Sequence, residues 1–165
     1  MIRIAVDGMG GDYAPGVVVD GAVLAANDFS DLEILLVGQP DALKRELNRH
    51  KVFGGKIVIE PASEVVGMGD SPVQAIRRKK DSSMLVSVEL LKQGKADAFV
   101  TAGNTGAAVA AATLYLGPLP GIRRPGIAIS TPTLHGISIA IDVGANINPS
   151  AEELFQYAVM ADVYA

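Results

Sequence analysis

The chain contains no cysteine and only two histidines, His50 and His135, far apart in its 165 residues. Without cysteine there can be no disulfide framework, thiolate zinc site or cysteine nucleophile, and the composition is compatible with a reducing cytoplasm. With so few histidines a His-based metal site is not expected, nor is any other bound metal or cofactor. Charge of one sign is also scarce: the net value of −4 argues against the broad basic surface that non-specific nucleic-acid binding needs. No long hydrophobic run is present. The stretch Gly106 to Leu119 is alanine-rich and interrupted by Gly117-Pro118, so it suits a buried helix better than a membrane span. The opening MIRIAVDGMGGD reads as a strand and a turn rather than a signal peptide. A G-x-S-x-G elbow, a Walker A loop and H-E-x-x-H are all lacking. What remains is 49% hydrophobic residues against 19% charged ones, the balance of one globular domain.

Strand and helix patterns alternate along most of the chain. Strands are expected at Ile2 to Val6, Glu33 to Val37, Lys56 to Glu60 and Ala98 to Val100. Helices are expected from Pro15 to Ala26, Pro40 to about Arg49, from Pro72, from Ser82 to about Lys92, and from Asn104 or Thr105 to about Leu116. Gly126 to Ile129 and Ile137 to Ile141 read as a hairpin joined by Ser130 to Gly136. Ser150 or a neighbour then caps a last helix carrying Leu154, Phe155, Ala158 and Val159. The pattern predicts a single α/β domain over 1–165, with a layered, mostly parallel sheet, helices on both faces and one antiparallel excursion.

Four turns at strand ends are candidates for chemistry. Asp7-Gly8-Met9-Gly10-Gly11-Asp12 fails the dinucleotide spacing, because Tyr13 occupies the third glycine position. It still brings Asp7 and Asp12 to a strand's carboxyl end, the alternative being a tight turn in which Asp12 caps the helix. Arg77-Arg78-Lys79-Lys80 gathers four of the 14 basic residues and leads into Asp81, Ser82 and Ser83 at a helix start. Cations beside a helix N-terminus suit phosphate or another small anion, although such a run also serves as a solvated helix end. Gly103-Asn104-Thr105-Gly106 joins a strand to a helix, which is an anion site or an ordinary β–α turn. Asp142 and Asn146, in Asp142-Val143-Gly144-Ala145-Asn146, lie again at a strand's carboxyl end, where loop hydrogen bonding is the plainer role. In an open α/β sheet such ends line one crevice.

Taken in order, DGMGGDYAP, RRKKDSSM, TAGNTGA and DVGAN resemble the bacterial phosphate acyltransferases of fatty acid and phospholipid synthesis. Glu64-Val65-Val66-Gly67-Met68 and Arg124-Pro125 fit the same pattern. The resemblance implies a fold similar to the phosphotransacetylase and isocitrate dehydrogenase group. It also implies a reaction in which inorganic phosphate attacks the thioester of a long-chain acyl–acyl carrier protein. The products are acyl phosphate and free carrier protein. A homodimer in the cytoplasm, touching the membrane peripherally, is implied with it.

On that resemblance, Lys79 or Lys80 with Ser82 and Ser83 orients phosphate, and Gly103, Asn104 and Thr105 supply donors to phosphate or the oxyanion. Lys79, Lys80 and Asn104 stand as the catalytic candidates. Gly10, Gly11, Asp12, Asp81, Gly106, Asp142 and Asn146 complete the phosphate and substrate contacts. The alternatives are a short-chain phosphotransacetylase-like enzyme and a non-catalytic phosphate-binding half-domain. Members of the resembled family run for roughly as much chain again, so this sequence corresponds to the amino-terminal half of that fold. The remainder is expected to supply part of the acyl and carrier-protein site and the dimer and membrane contacts. An open sheet edge in the half alone predicts poor solubility or self-association.

Overall fold

A computed structural model describes residues 1–165, and the chain divides into two compact units, Met1–Leu116 and Gly117–Ala165. In the first unit β1 (Ile2–Asp7), α1 (Gly16–Asp28), β2 (Leu32–Gly38), α2 (Pro40–Leu47) and β3 (Lys56–Pro61) follow in succession. Then come α3 (Pro72–Arg78), α4 (Ser83–Lys92), β4 (Ala98–Val100) and α5 (Thr105–Ala111). The four strands are all parallel and lie in the order β3-β2-β1-β4. Chain order therefore runs outward from β1 in one direction to β3, and β4 adds on β1's other side.

Alternation along the strands sorts their side chains into two layers. Ile34 and Leu36 of β2 join Val19, Val23 and Ala26 of α1 and Leu43 of α2, with Ile4 and Val6 of β1 packed against them. Ala5, Leu35 and Val37 point the other way, into a cluster with Leu90 of α4 and Ala96. A strand covered on both faces reads as an unbroken apolar run, which is why LEILLVG shows no polar alternation after Glu33. Leu36 and Val37 are fully buried, each burial worth about 1.5–3 kcal/mol. A third cluster joins Ile76 of α3, Met84, Leu85 and Val88 of α4, and Ala107 and Ala111 of α5. Alanine at those α5 positions keeps the packing tight.

The helix after β4 reaches Leu116, as the sequence suggests, but changes type on the way. Its α-helical part stops at Ala111, and Ala112–Leu116 continue as a π-helical turn.

The second unit consists of β5 (Ala128–Thr133), β6 (Gly136–Ile141) and α6 (Ala151–Tyr164). The two strands form an antiparallel hairpin with Thr133 opposite Gly136. The strands thus take up residues that the sequence assigned to the connecting loop. Pro132 within β5 is tolerated because a two-stranded ribbon has free edges. Ser150 caps α6 through a capping box: its hydroxyl accepts from the Glu153 N–H, and the Glu153 carboxylate accepts from the Ser150 N–H. The face that α6 turns inward is that of Tyr157. Tyr157 is buried, whereas Leu154, Phe155, Ala158 and Val159 are exposed. No helix in either unit is long and apolar enough to cross a membrane.

Candidate functional site

The carboxyl ends of β1 and β4 deliver two turns, Asp7–Asp12 and Thr101–Gly106, to adjacent positions. The order of the sheet changes direction between these two strands, and a crevice outside the carboxyl ends at such a switch point is where open α/β sheets bind ligands.

The turns are locked together by one buried carboxylate. Asp7, only 1% exposed, accepts a hydrogen bond from the Thr101 hydroxyl at 2.8 Å and one from the Met9 N–H at 3.3 Å. Thr101 Oγ1 in turn accepts from the Gly103 N–H at 2.9 Å. Above this chain of bonds the backbones nearly touch. A Cβ on Gly103 would lie 3.2 Å from the Gly10 Cα, and a Cβ on Gly10 would lie 2.9 Å from both Thr101 Oγ1 and the Asp7 Cγ. Gly11 has φ +117°, a region where other residues are strained. Glycine at 10 and 11 is therefore required by contact and by conformation. Asp12 is exposed beside them and does not cap α1, whose N-cap position is held by Pro15 with no side-chain bond.

Asn104 is nearly buried and works in both directions. Its Oδ1 accepts from the Ala107 N–H at 3.0 Å, capping α5. Its Nδ2 donates to the carbonyls of Met68 at 3.0 Å, Asp70 at 3.2 Å and Gly67 at 3.4 Å. The side chain thus ties the turn to the loop Gly67–Asp70. Thr105 is exposed at the first position of α5. Gly106 is the point where α5 meets α3, since a Cβ there would be 2.8 Å from Pro72 Cγ.

The basic run separates into different environments. Lys79 donates to Asp70 Oδ2 at 2.6 Å and to the Val65 carbonyl at 2.7 Å. The hydrogen bond from Lys79, with one from the Gly67 N–H, holds the Asp70 carboxyl below the usual carboxylate range. Lys80 departs from its neighbour: it donates to the Tyr115 hydroxyl and stands 5.2 Å from that ring's centroid, with Lys92 on the same ring at 5.9 Å. Asp81 accepts from the Ser63 hydroxyl and N–H, which keep it ionised to lower pH than usual. Ser82 and Ser83 are buried, at 0% and 1% exposure. The Ser82 hydroxyl donates to the Lys79 carbonyl at 2.9 Å, so it serves the chain's own turn.

The first unit therefore brings together Gly10, Gly11, Gly103 and Asn104, with Lys79 joined to them through Asp70 and its loop. Three participants escape a reading of the sequence: Thr101, Asp70 and Tyr115. Nothing local marks Thr101 as the partner of Asp7, 94 residues away. The pair Asp70 and Lys79 spans α3, and only the fold brings its ends together.

Beside the crevice runs an apolar groove of about 320 Å³ between α1 and the β4 edge. Val17, Gly21, Ala25, Val6 and Val100 line it, and Asp7 and Thr101 lie at its end.

In the second unit, Asp142 organises its own loop. It accepts from the N–H groups of Asn146 at 2.6 Å, Ile127 at 2.9 Å and Ala145 at 3.2 Å. Burial pushes its pKa up, but these backbone donors prevail and hold it below the usual range. Asn146 reaches the Tyr157 hydroxyl at 3.5 Å.

The whole of residues 2–165 matches the family model described as Fatty acid synthesis protein. The chain belongs to that family. It is 50% identical over 165 residues to a protein of Desulfitobacterium hafniense strain Y51 named Phosphate acyltransferase, covering 100% of this chain and 49% of that one. A protein of the same name from Geobacter sulfurreducens is 51% identical over 164 residues, covering 99% and 47%. This member of the fatty acid synthesis protein family thus spans about half the length of the curated relatives it matches. Among solved structures, a phosphotransacetylase from Streptococcus pyogenes superposes with a TM-score of 0.68 at 21% identity, over 96% of this chain and 51% of that one. That similarity bears on the fold, and it agrees with the layered parallel sheet expected from the sequence.

Proposed function

We propose that this chain is the phosphate-binding half of a phosphate acyltransferase that moves a long-chain acyl group from acyl–acyl carrier protein to inorganic phosphate. The observation that carries the reading is the meeting of the Gly10 and Gly103 turns at the switch point between β1 and β4, in a chain whose relatives are named phosphate acyltransferase.

The chemistry makes modest demands. A phosphate oxygen attacks the thioester carbonyl carbon, a tetrahedral oxyanion forms, and the C–S bond breaks to release the carrier thiolate, which takes up a proton. The nucleophile is already largely ionised near neutral pH, so holding it in line with the carbonyl and stabilising the oxyanion supply most of the rate. The backbone N–H groups of Thr105 and Gly106 suit that task, because the first turn of a helix leaves donors without intrahelical partners, whereas the Gly103 N–H is already given to Thr101. Lys79 is the cation for phosphate: two of its three protons go to Asp70 and Val65, and the third is available to a ligand. Asp7, Thr101 and Asn104 hold the turns in place. The groove ending at Asp7 and Thr101 has the apolar lining that a hydrocarbon tail requires, which favours a long acyl chain over acetyl.

The test pairs binding with turnover. Phosphate should raise the melting temperature of the chain, and Lys79→Ala should abolish that rise while Lys80→Ala keeps it. An unchanged phosphate response in Lys79→Ala would remove that residue from the site. Acyl phosphate formed only with both acyl–acyl carrier protein and phosphate would establish the reaction. Equal or better turnover of short acyl-CoA would point to a phosphotransacetylase-like enzyme. Phosphate binding without thioester cleavage would mark a non-catalytic half-domain.

A further inference from the structure

The end of α3 leaves a charged cluster that the reaction proposed above does not use. Arg3, Arg49, Lys56, Lys79, Arg123 and Arg124 each stand on a carboxylate, but Lys80 and Lys92 form no ion pair. Both are exposed, and both approach the ring of Tyr115, at 5.2 Å and 5.9 Å from its centroid. Two like charges gathered on one ring repel each other, and an anion between them relieves that repulsion. No carboxylate of the chain fills the place: Asp81 is taken by Ser63, and Glu89, one turn before Lys92 on α4, is not paired with it. The cluster has donors to spare. Lys80 keeps one proton after its bonds to the Tyr115 hydroxyl and the Ile76 carbonyl, and Tyr115, accepting from Lys80, has its own proton to give. Tyr115 stands on the π-helical turn that follows α5, a geometry frequent at functional sites.

We infer that Lys80, Lys92 and Tyr115 hold the phosphate ester of a pantetheine arm, the anion that a carrier protein and coenzyme A share as thioester donors. The inference rests on the reading of this chain as half of a phosphate acyltransferase, because only then does a thioester have to reach the crevice. Distance singles out this anion. From Asn104 to Tyr115 the helix rises about 16 Å, at about 1.5 Å per residue. A pantetheine arm runs from phosphorus to sulfur through about 13 skeletal bonds, which at about 1.2 Å of advance each reach about 16 Å. An arm anchored at Tyr115 therefore brings its sulfur, and the acyl carbon on it, to the turn where phosphate is held. Ala108 and Ala112, both part-exposed, stand between the two ends at helical spacing. The ester keeps its negative charge at neutral pH and offers acceptor oxygens only, the complement of two ammonium groups and a hydroxyl. Inorganic phosphate has no arm to span the distance, so the two sites divide the two substrates between them.

The test titrates the 165-residue chain with phosphopantetheine and with pantetheine, followed by calorimetry and by the NMR signals of the Tyr115 ring. Phosphopantetheine should shift those signals and bind about tenfold more tightly, as expected for charge-assisted bonds to one phosphate. Lys80→Ala/Lys92→Ala should bring the two ligands within about twofold of each other, whereas Lys79→Ala should keep the preference. Tyr115→Phe, which retains the packed ring, should lose about threefold. Equal affinities in the parent chain, no binding by either ligand, or a preference that survives the double variant would overturn the proposal. So would a preference lost in Lys79→Ala, since the arm's phosphate would then occupy the other site. Holo-acyl carrier protein shifting Tyr115 at lower concentration than coenzyme A assigns the arm to the protein, and the reverse order assigns it to coenzyme A. The same shifts from apo-carrier protein, which lacks the arm, would overturn the proposal. Failure of the underlying reading looks different: a preference that needs Lys80 and Lys92, in a chain whose melting temperature ignores inorganic phosphate, keeps this site and removes the phosphate-binding half.

Discussion

Replacing Gly10 by alanine would test whether the two turns are locked as described. The added methyl would sit 2.9 Å from Thr101 Oγ1 and from the Asp7 Cγ, closer than real Cβ atoms approach. Neither neighbour can yield at low cost. Asp7 is 1% exposed, and its bond to Thr101 is what holds the β4 turn. Relief of the overlap costs about 1–3 kcal/mol. Loosening the Asp7–Thr101 bond leaves a buried acceptor short of a partner, for about another 1–3 kcal/mol. A loss of about 3 kcal/mol is thus expected from a stability that is itself only about 5–15 kcal/mol. Native-state amide exchange in β1 and β2 reads the first unit alone, and the change corresponds to a roughly 100-fold loss of protection. Gly21→Ala is the counter-case. Nothing lies within 4 Å of its new methyl, and it sits inside α1, so protection should rise about threefold, the value of replacing a helical glycine. Gly10→Ala with protection within a factor of two of the parent would refute the close packing of the turns.

Two further outcomes follow from single side chains. Asn104→Ala removes the α5 cap and strands the carbonyls of Met68 and Asp70, so the α3–α5 cluster should lose about 2 kcal/mol, read as exchange of the Ala107 and Ile76 amides; an unchanged rate would place those carbonyls in other hands. Asp142→Asn tests the loop of the second unit through pH. The folded-state pKa of Asp142 is depressed, so its contribution is present above the ordinary carboxylate range, about 3.9, and is lost as pH falls through the depressed value. The variant should be less stable than the parent at pH 7 and draw level with it in acid, as seen in NMR-followed urea unfolding at Ile139 and Tyr157. A gap that persists at the lowest pH would show that the carboxylate charge is not what the backbone donors hold.

Much of the architecture is legible because it depends on local patterns. Continuous apolar runs mark β2, proline marks the starts of α2 and α3, and Asn104 and Ser150 cap the helices that their side-chain chemistry suits. The errors arise where a long-range partner decides. The apolar stripe of α6 looks like a core face, and its length and spacing are those of one, but Tyr157 on another face is what the hairpin covers. Ser130–Thr133 contain a proline and three hydroxyls and resemble a loop, yet strand pairing with β6 extends through them. At the site, too, the hydrogen-bond partners are set by the fold. Asp81, Ser82 and Ser83 look like ligand groups because hydroxyls and a carboxylate gather at a helix start. The fold spends Ser82 on the Lys79 carbonyl and Asp81 on Ser63.

This division of labour shapes what the crevice can recognise. The most polar side chains around it are already satisfied: Asp7 by Thr101 and Met9, Asn104 by Ala107 and the Gly67–Asp70 loop, Asp70 by Lys79 and Gly67. Each fixes a turn, and none is free to be reorganised cheaply, because breaking any of them strands a donor or an acceptor. On the reading proposed above, what is left for a ligand is main chain at the two glycine turns together with Lys79, whose position is set by Asp70. Main-chain donors on a rigid frame suit a small symmetric anion better than a ligand with many distinguishable groups. They also suit a reaction in which the anion itself is the nucleophile, since the site then has to orient it without carrying a base. On the proposed reaction, discrimination among acyl groups would fall to the apolar groove beside β4 and to the chain that the relatives possess beyond this one.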